Sequence, residues 1–261
     1  MPKPRFSEPE IIAILKEAEA GASLPDLLRR HGVDRDTYSS WKARYRDALR
    51  PEEGSTLAHP AEVWNSRYDT EEYLFGTAPN GWLRDHAHIW APGSRVLCVA
   101  DGEGRNSVFL AGRGLRVDAF DPAANAVAKA RHLTNERGVT VQFSVADCDT
   151  YPWPEAAYDG VAAIFVQFAD PPLRTRLFAH IVRALKPGGT LILQGYTPKQ
   201  LEYGTGGPSQ PSHLYTDEML RKAFAELRIL ELREYEAELR EGTGHLGRSA
   251  LIGLVAERPH A

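Results

Sequence analysis

The chain has 261 residues, enough for one large domain or a large and a small one. With 43% hydrophobic and 25% charged residues and a net charge of -4, it reads as a globular protein and not as a whole-molecule electrostatic binder of nucleic acid. Two cysteines, Cys98 and Cys148, exclude a disulfide scaffold and suit a reducing cytoplasm. No apolar run reaches the length of a membrane span, and "MPKPRFSEPE" holds no signal-peptide core.

Residues 1–50 read as three short helices. Ser7 and Glu10 form a capping box before "IIAILKEAEAG", with Gly21 as the stop. Ser23 caps "LPDLLRRHG", with Gly32 as the stop, and Asp34 caps "RDTYSSWKARYRDAL". Helix, turn, helix is the layout of a helix-turn-helix. The segment holds ten Lys and Arg against eight Asp and Glu, a net of +2, which is slight for a DNA-binding face. Residues 51–60, "PEEGSTLAHP", have no apolar period and read as a linker. Residues 61–261 form the main domain.

From residue 95 onward, strand and helix patterns alternate. Strands are predicted at "RVLCVA", "LRVDAFD", "VTVQFSVAD", "GVAAIFV" and "TLILQGY", with helices between them. Another helix, "TDEMLRKAFAEL", precedes two final strands, "RILELREYEAEL" and "SALIGLVAERP". Apolar strands separated by helices imply a Rossmann-like, doubly wound α/β fold: a mostly parallel, seven-stranded sheet. The short loop joining the last two strands makes them an antiparallel edge hairpin.

In such a sheet a ligand binds beyond the carboxyl ends of the first strands. There the sequence places Asp101-Gly102-Glu103-Gly104, then Asn106 as the cap of the next helix. Asp121, followed by Pro122, ends the second strand, where a carboxylate can accept both hydroxyls of a ribose. The third small residue of a dinucleotide loop is missing, since the run is Gly102-Glu103-Gly104-Arg105-Asn106-Ser107. Acids beside the loop repel a pyrophosphate and attract a cation, which favours S-adenosylmethionine.

The motifs "DGEGRNSVFLA", "VDAFD", "VADCD", "YDGVAAIFVQF" and "ALKPGGTLILQGY" resemble class I S-adenosylmethionine-dependent methyltransferases, in the branch of tellurite-resistance and thiopurine-type enzymes. The resemblance implies that Gly102 and Gly104 border the methionine part and that Asp121 holds the ribose. It implies that Asp147 and Cys148 flank the adenine and that Phe165 and Gln167 lie near the methyl end. "WNSRYDTEEYLFGTAPNGWL" is similar to that branch's lid, which brings Trp64, Arg67, Tyr68 and Tyr73 to the mouth of the site. Cys98 and Ala100 depart from the family, which often has an acid and a glycine there. Asp101 or Glu103 is left to brace the loop.

Methyl transfer from a sulfonium needs alignment and a water-poor site, and a base only when the acceptor is a neutral hydroxyl or amine. Tyr196 at the end of the fifth strand, His213 on the loop "LEYGTGGPSQPSHLY", and His245 with Arg248 on the edge hairpin are the catalytic candidates. That loop also offers Glu202, Tyr203 and Tyr215. The lid and loop 201–215 are expected to close together over the cofactor. No metal site is expected, because the histidines do not cluster with the cysteines at ligand spacing, and His86 and His88 point apart on a helix.

Separately, "RFSEPEIIAILKEAEAG", "LLRRHGV" and "YSSWKARY" resemble the N-terminal helix-turn-helix of insertion-sequence transposases, which leaves weak DNA binding by residues 1–50 open. The expected function is methyl transfer to a small-molecule acceptor (a thiol, chalcogen oxyanion, carboxylate or other small nucleophile), yielding S-adenosylhomocysteine. The alternative is a DNA-binding regulator whose α/β domain senses S-adenosylmethionine. A nicotinamide-dependent oxidoreductase is disfavoured by the acidic loop. A homodimer is compatible with the sequence.

Overall fold

A computed structural model describes residues 6–19, 24–44, 60–242 and 244–260. The chain divides into two compact units, Met1–Ala58 and His59–Ala261.

The first unit contains helices α1 (Glu8–Glu19), α2 (Leu24–His31) and α3 (Arg35–Arg44). Ser7 and Glu10 make the predicted box, the Ser7 backbone N–H and hydroxyl both reaching Glu10 Oε2 at 2.7 Å. Asp34 accepts from the Thr37 backbone N–H at 2.8 Å at the start of α3. Gly32 takes a left-handed φ of 61° after α2, a conformation that costs a glycine little. Ile11, Ile14, Leu15, Leu27, Val33 and Tyr38 bury one small core. The predicted stop Gly21, the cap Ser23, the end of the third helix beyond Arg44 and linker residues 51–59 lie outside the described residues.

The second unit opens with α4 (Pro60–Arg67), so Pro60 begins a helix, and continues with α5 (Gly81–His86). Its sheet is built from β1 (Arg95–Val99), β2 (Arg116–Asp121), β3 (Val141–Val145), β4 (Tyr158–Ile164), β5 (Leu185–Tyr196), β6 (Arg228–Glu241) and β7 (His245–Glu257). The covering helices are α6 (Arg105–Gly112), α7 (Ala124–Arg137), α8 (Pro171–Ala184) and α10 (Asp217–Ala223), with a single turn, α9 (Gln200–Tyr203), after β5. Strand order is β3-β2-β1-β4-β5-β7-β6; β1 to β5 are parallel, and β7 runs antiparallel to both neighbours. This is the predicted seven-stranded sheet with its edge hairpin.

Apolar residues on both faces of the central strands form two cores, one around Leu97, Val161, Leu193 and Ile252, the other around Val96, Cys98, Ile192 and Val255. Both faces are thus buried, as a parallel sheet requires. Trp90 lies across Gly160 of β4, where an added Cβ would come within 2.2 Å of the indole, and its Nε1–H donates to Thr190 Oγ1 at 2.6 Å. His86 ends α5, whereas His88 lies in the 3-10 turn Ala87–Ile89; the two do not share a helix. No helix among the described residues is long and apolar enough to cross a membrane.

Candidate functional site

The parallel strands end on one edge, and a cavity of about 290 Å³ opens there. Its floor is Ala100 to Gly102 after β1, Asp121 and Pro122 after β2, Asp147 to Asp149 after β3, and Ile164 and Phe165 at the tip of β4. Its walls include Trp64, Tyr68, Phe75, Arg105, Phe168 and His245.

The loop after β1 turns tightly. Ala100, Gly102 and Gly104 all have positive φ, at 47°, 60° and 88°. A left-handed alanine is strained, and such strain gathers at functional sites. Gly104 admits no side chain: its Cβ would meet the Ala130 Cβ on α7 at 2.7 Å. Gly104 caps α6, which corrects the expected cap at Asn106. Asn106 instead accepts the Asn80 N–H at 2.9 Å and ties the segment before α5 to α6.

Asp101 and Asp121 brace this loop. Asp101 accepts from the Ser107 backbone N–H at 3.3 Å and from the Ser107 hydroxyl. Burial pushes its carboxyl up to about 7, against the Ser107 hydrogen bonds. Asp121 accepts the Gly102 N–H and the Ala123 N–H, each at 2.9 Å. Burial pushes its carboxyl up to about 6, with the two backbone bonds acting the other way. Each carboxylate oxygen keeps a lone pair for a ligand hydroxyl.

The aromatic wall comes from α4 and the segment after it. Asn65 on α4 accepts the Asn125 backbone N–H at 2.8 Å, docking α4 on the start of α7. Trp64 stacks on Tyr68, which lies over Gly102: a Cβ there would be 3.1 Å from the Tyr68 hydroxyl. Lys129 Nζ clamps the next turn, donating to the Glu72 carbonyl at 2.6 Å and to Glu103 Oε1 at 2.8 Å.

The opposite wall is the tip of the β6–β7 hairpin. His245 Nδ1 lies 3.2 Å from Glu241 Oε2, which also takes the Arg105 guanidinium at 2.8 Å. Asn80 donates to the other Glu241 oxygen at 3.0 Å. Burial opposes ionisation of Glu241, but the His245 hydrogen bond and the Arg105 charge hold its carboxyl at about 2. Burial lowers the pKa of His245, opposed by its bond to Glu241 and aided by the Arg105 charge. The ring is therefore neutral near pH 7. It packs against Phe75 and Phe165, with centroids 4.5 and 4.4 Å away.

The structure brings together Trp64, Asp101, Gly102, Asn106, Asp121, Pro122, Asp147, Cys148, Phe165 and His245 from the sequence candidates. The Cys148 thiol is pushed up to about 12 by burial. Tyr68 lines the cavity too, and the others lie off its lining. Glu103 is buried against Lys129, and Gly104 faces α7. Arg67 lies over the Trp64 ring, 4.4 Å from its centroid, and Tyr73 donates to the Lys129 carbonyl at 3.2 Å. Gln167 is a structural clip, donating to the Tyr196 and His213 carbonyls at 2.9 Å each.

Three of the four catalytic candidates also lie off the cavity lining. Tyr196 is buried behind Phe165, with its rings 4.8 Å apart by centroid. His213 Nδ1 is engaged by the Gln167 carbonyl at 2.8 Å. Arg248 pairs with Glu236 at the surface. Loop 201–215 contributes no residue to the cavity lining; it packs on Tyr196, and a Cβ at Gly206 would lie 3.9 Å from His245. Sequence reasoning missed Phe75, Asn80, Arg105 and Glu241 as site residues. Phe75 and Asn80 fall inside the quoted lid segment and Arg105 inside the quoted "DGEGRNSVFLA", but nothing local marks Glu241.

Residues 96–189 match the family model for a methyltransferase domain, and residues 1–68 match one for a transposase. A demethylmenaquinone methyltransferase of Thermus thermophilus is 35% identical over 141 residues, 51% of this chain and 62% of that one. An uncharacterized 10 kDa protein of insertion element ISR1 from Rhizobium is 47% identical over 45 residues, 17% of this chain and 51% of that one. The chain thus spans between about half and three-fifths of the length of these two relatives. A solved S-adenosylmethionine-dependent methyltransferase of Methanosarcina mazei superposes with a TM-score of 0.58 at 18% identity, covering 70% of this chain and all of that one.

Proposed function

We propose, from the methyltransferase domain and the fold just compared, that the second unit transfers a methyl group from S-adenosylmethionine to a small-molecule acceptor. The observation that carries this reading is Asp121, a buried carboxylate at the end of β2 beneath an aromatic wall. The cavity fits the cofactor's chemistry. Asp121 can accept the ribose hydroxyls, Asp147 and Cys148 border the adenine, and Gly102 with Asp101 borders the methionine part. A pyrophosphate would meet the Asp101 and Asp121 carboxylates, while Arg105 and Lys129 are already paired with Glu241 and Glu103. When bound, the cofactor supplies an activated methyl group on a cationic sulfur. The chain's own part is alignment and exclusion of water, which Trp64, Tyr68, Phe75 and Phe165 provide. The lid sequence and "GRNS" support placement in the tellurite-resistance and thiopurine-type branch. The absence of a long apolar helix among the described residues is compatible with the expected cytoplasmic location. The net charge of +2 over residues 1–50 supports no more than a salt-sensitive contact with duplex DNA, which a titration at two salt concentrations would expose.

Isothermal titration with S-adenosylhomocysteine tests the reading. Binding is expected, and heat with a nicotinamide dinucleotide alone would overturn it. Asp121→Ala is expected to weaken binding by about 1.5–3 kcal/mol, the scale for losing a charged hydrogen-bond partner. The unsubstituted protein should bind less tightly as pH falls through about 6, because the ribose needs the ionised carboxylate and Asp121 then takes up a proton. An affinity flat between pH 5 and pH 8 would remove Asp121 from the site.

Deleting residues 1–58 is expected to leave the S-adenosylhomocysteine dissociation constant within a few-fold. Every described residue that lines the cavity belongs to the second unit. A hundredfold loss on the same titration would contradict this.

A further inference from the structure

Among the described residues, the hairpin tip holds the one imidazole that lines the cavity. Its geometry has the parts of a general base. Glu241 is ionised and holds Nδ1 at 3.2 Å, so the neutral ring carries its proton there and turns a lone pair outward at Nε2. No described residue bonds Nε2 in the hydrogen bonds of the structure, whereas Glu241 is engaged by Arg105, Asn80 and His245.

We infer that His245 is the general base of the transfer and that the acceptor is a neutral aromatic hydroxyl. This rests on the methyltransferase reading and narrows it. A chalcogen oxyanion arrives ionised and a thiol ionises far more readily than a phenol, so neither depends on a built histidine–carboxylate pair as a phenol does. An ammonium acceptor would want an anion at this wall. The charged and titratable groups that face His245 are Glu241 on β6, Arg105 on α6, Arg67 on α4 and Tyr196 on β5. Arg105 neutralises Glu241, and Arg67 adds positive charge, so the wall offers a cation nothing. Phe75 and Phe165 pack on the imidazole itself, and with Trp64 and Tyr68 they give the cavity an aromatic lining that suits a flat ring.

The step balances without further reagents. The acceptor O–H bond breaks and its proton passes to Nε2. The oxygen forms the new bond to carbon, and the electron pair of the broken S–C bond stays on sulfur as a neutral thioether. Glu241 stabilises the imidazolium, which returns its proton to solvent when the product leaves.

Nitrogen-15 NMR of the full chain with S-adenosylhomocysteine bound is the first test. At pH 7 His245 is expected to be neutral and protonated at Nδ1; adding phenol should shift its Nε2 resonance, and Glu241→Gln should disturb the tautomer. The second is turnover of phenol and thiophenol. His245→Gln should cut turnover of phenol by roughly 10²–10⁴-fold, the usual worth of a positioned base, and reduce thiophenol turnover by at least roughly tenfold less, with S-adenosylhomocysteine still bound. The pH profile for phenol should lose its acid limb in the variant. A cationic or Nε2-protonated ring, an unmoved Nε2 resonance, or an equal loss on both probes overturns the inference while S-adenosylhomocysteine still binds. Failure of the unsubstituted protein to bind S-adenosylhomocysteine overturns the parent reading as well.

Discussion

Arg105→Met should destabilise the second unit by about 3–5 kcal/mol, the cost of removing one partner of a buried ion pair. The Arg105 and Glu241 side chains are only 8% and 11% exposed, and the guanidinium also reaches toward the Phe75 carbonyl at 3.5 Å. Methionine preserves the bulk of the stem but leaves the Glu241 charge facing His245 and Asn80 alone. The sign with pH is distinctive. In the parent protein Glu241 titrates near 2, below its unfolded value, so its contribution is present above that unfolded value and fades as pH falls toward 2. Without Arg105 the folded-state pKa of Glu241 rises, so the deficit should be larger at pH 8 than at pH 4. Urea denaturation at both values measures it. Adding Glu241→Gln should recover part of the loss, since a neutral buried pair lacks the stranded charge. A deficit below about 1 kcal/mol at pH 8 would mean that solvent screens the pair.

Trp90→Ala is expected to cost about 3–5 kcal/mol, the range for emptying a buried tryptophan. The indole fills the space above Gly160 and satisfies its own N–H on Thr190. In a domain of this size that loss should lower the melting temperature by roughly 10 °C. Gly160→Ala is expected to be severe in the parent protein, because its methyl would lie 2.2 Å from the indole. In the Trp90→Ala background the same methyl enters vacated space. The double variant should then be no less stable than Trp90→Ala, an interaction large enough for calorimetry to resolve. Additive losses would show that the two residues do not share one space.

The sheet was legible because each central strand is an uninterrupted apolar run, and because Gly102, Gly104 and Asp121 mark where two of them end. The strand edges were less so. β5 begins at Leu185 and not at Thr190, since the Gly188 N–H donates to the Arg258 carbonyl and the Arg258 N–H to the Gly189 carbonyl, a pairing with residues near the end of the chain. Asn106 looked like a cap by type, but Gly104 occupies that place by conformation, and the Asn106 amide serves Asn80. Loop 201–215 has the glycines and prolines of a lid, yet Leu214 and Tyr215 are buried and Gln167 grips the loop through the His213 carbonyl. Contacts across 46 residues leave no local trace. Glu241 was the hardest to find, because an acid on an edge strand ordinarily reads as solvated, and its bonds to Arg105, 136 residues earlier, to Asn80 and to His245 make it a site residue.

The two walls of the cavity come from opposite ends of the second unit, and they interlock through glycine. The Gly244 N–H donates to the Leu74 carbonyl at 3.0 Å, and a Cβ at Gly242 would lie 2.3 Å from that same oxygen. A Cβ at Gly244 would meet the Phe75 ring at 2.3 Å. The consequence concerns how such a sequence can drift over generations. Asp101, Gly102 and Asp121 sit at the first two strand ends, apart from the hairpin tip, so side chains at the two places can change separately. The freedom has a boundary. Any substitution at Gly242 or Gly244 pushes the hairpin off Phe75, so heritable variation at this wall has to work around two invariant-sized gaps in the backbone.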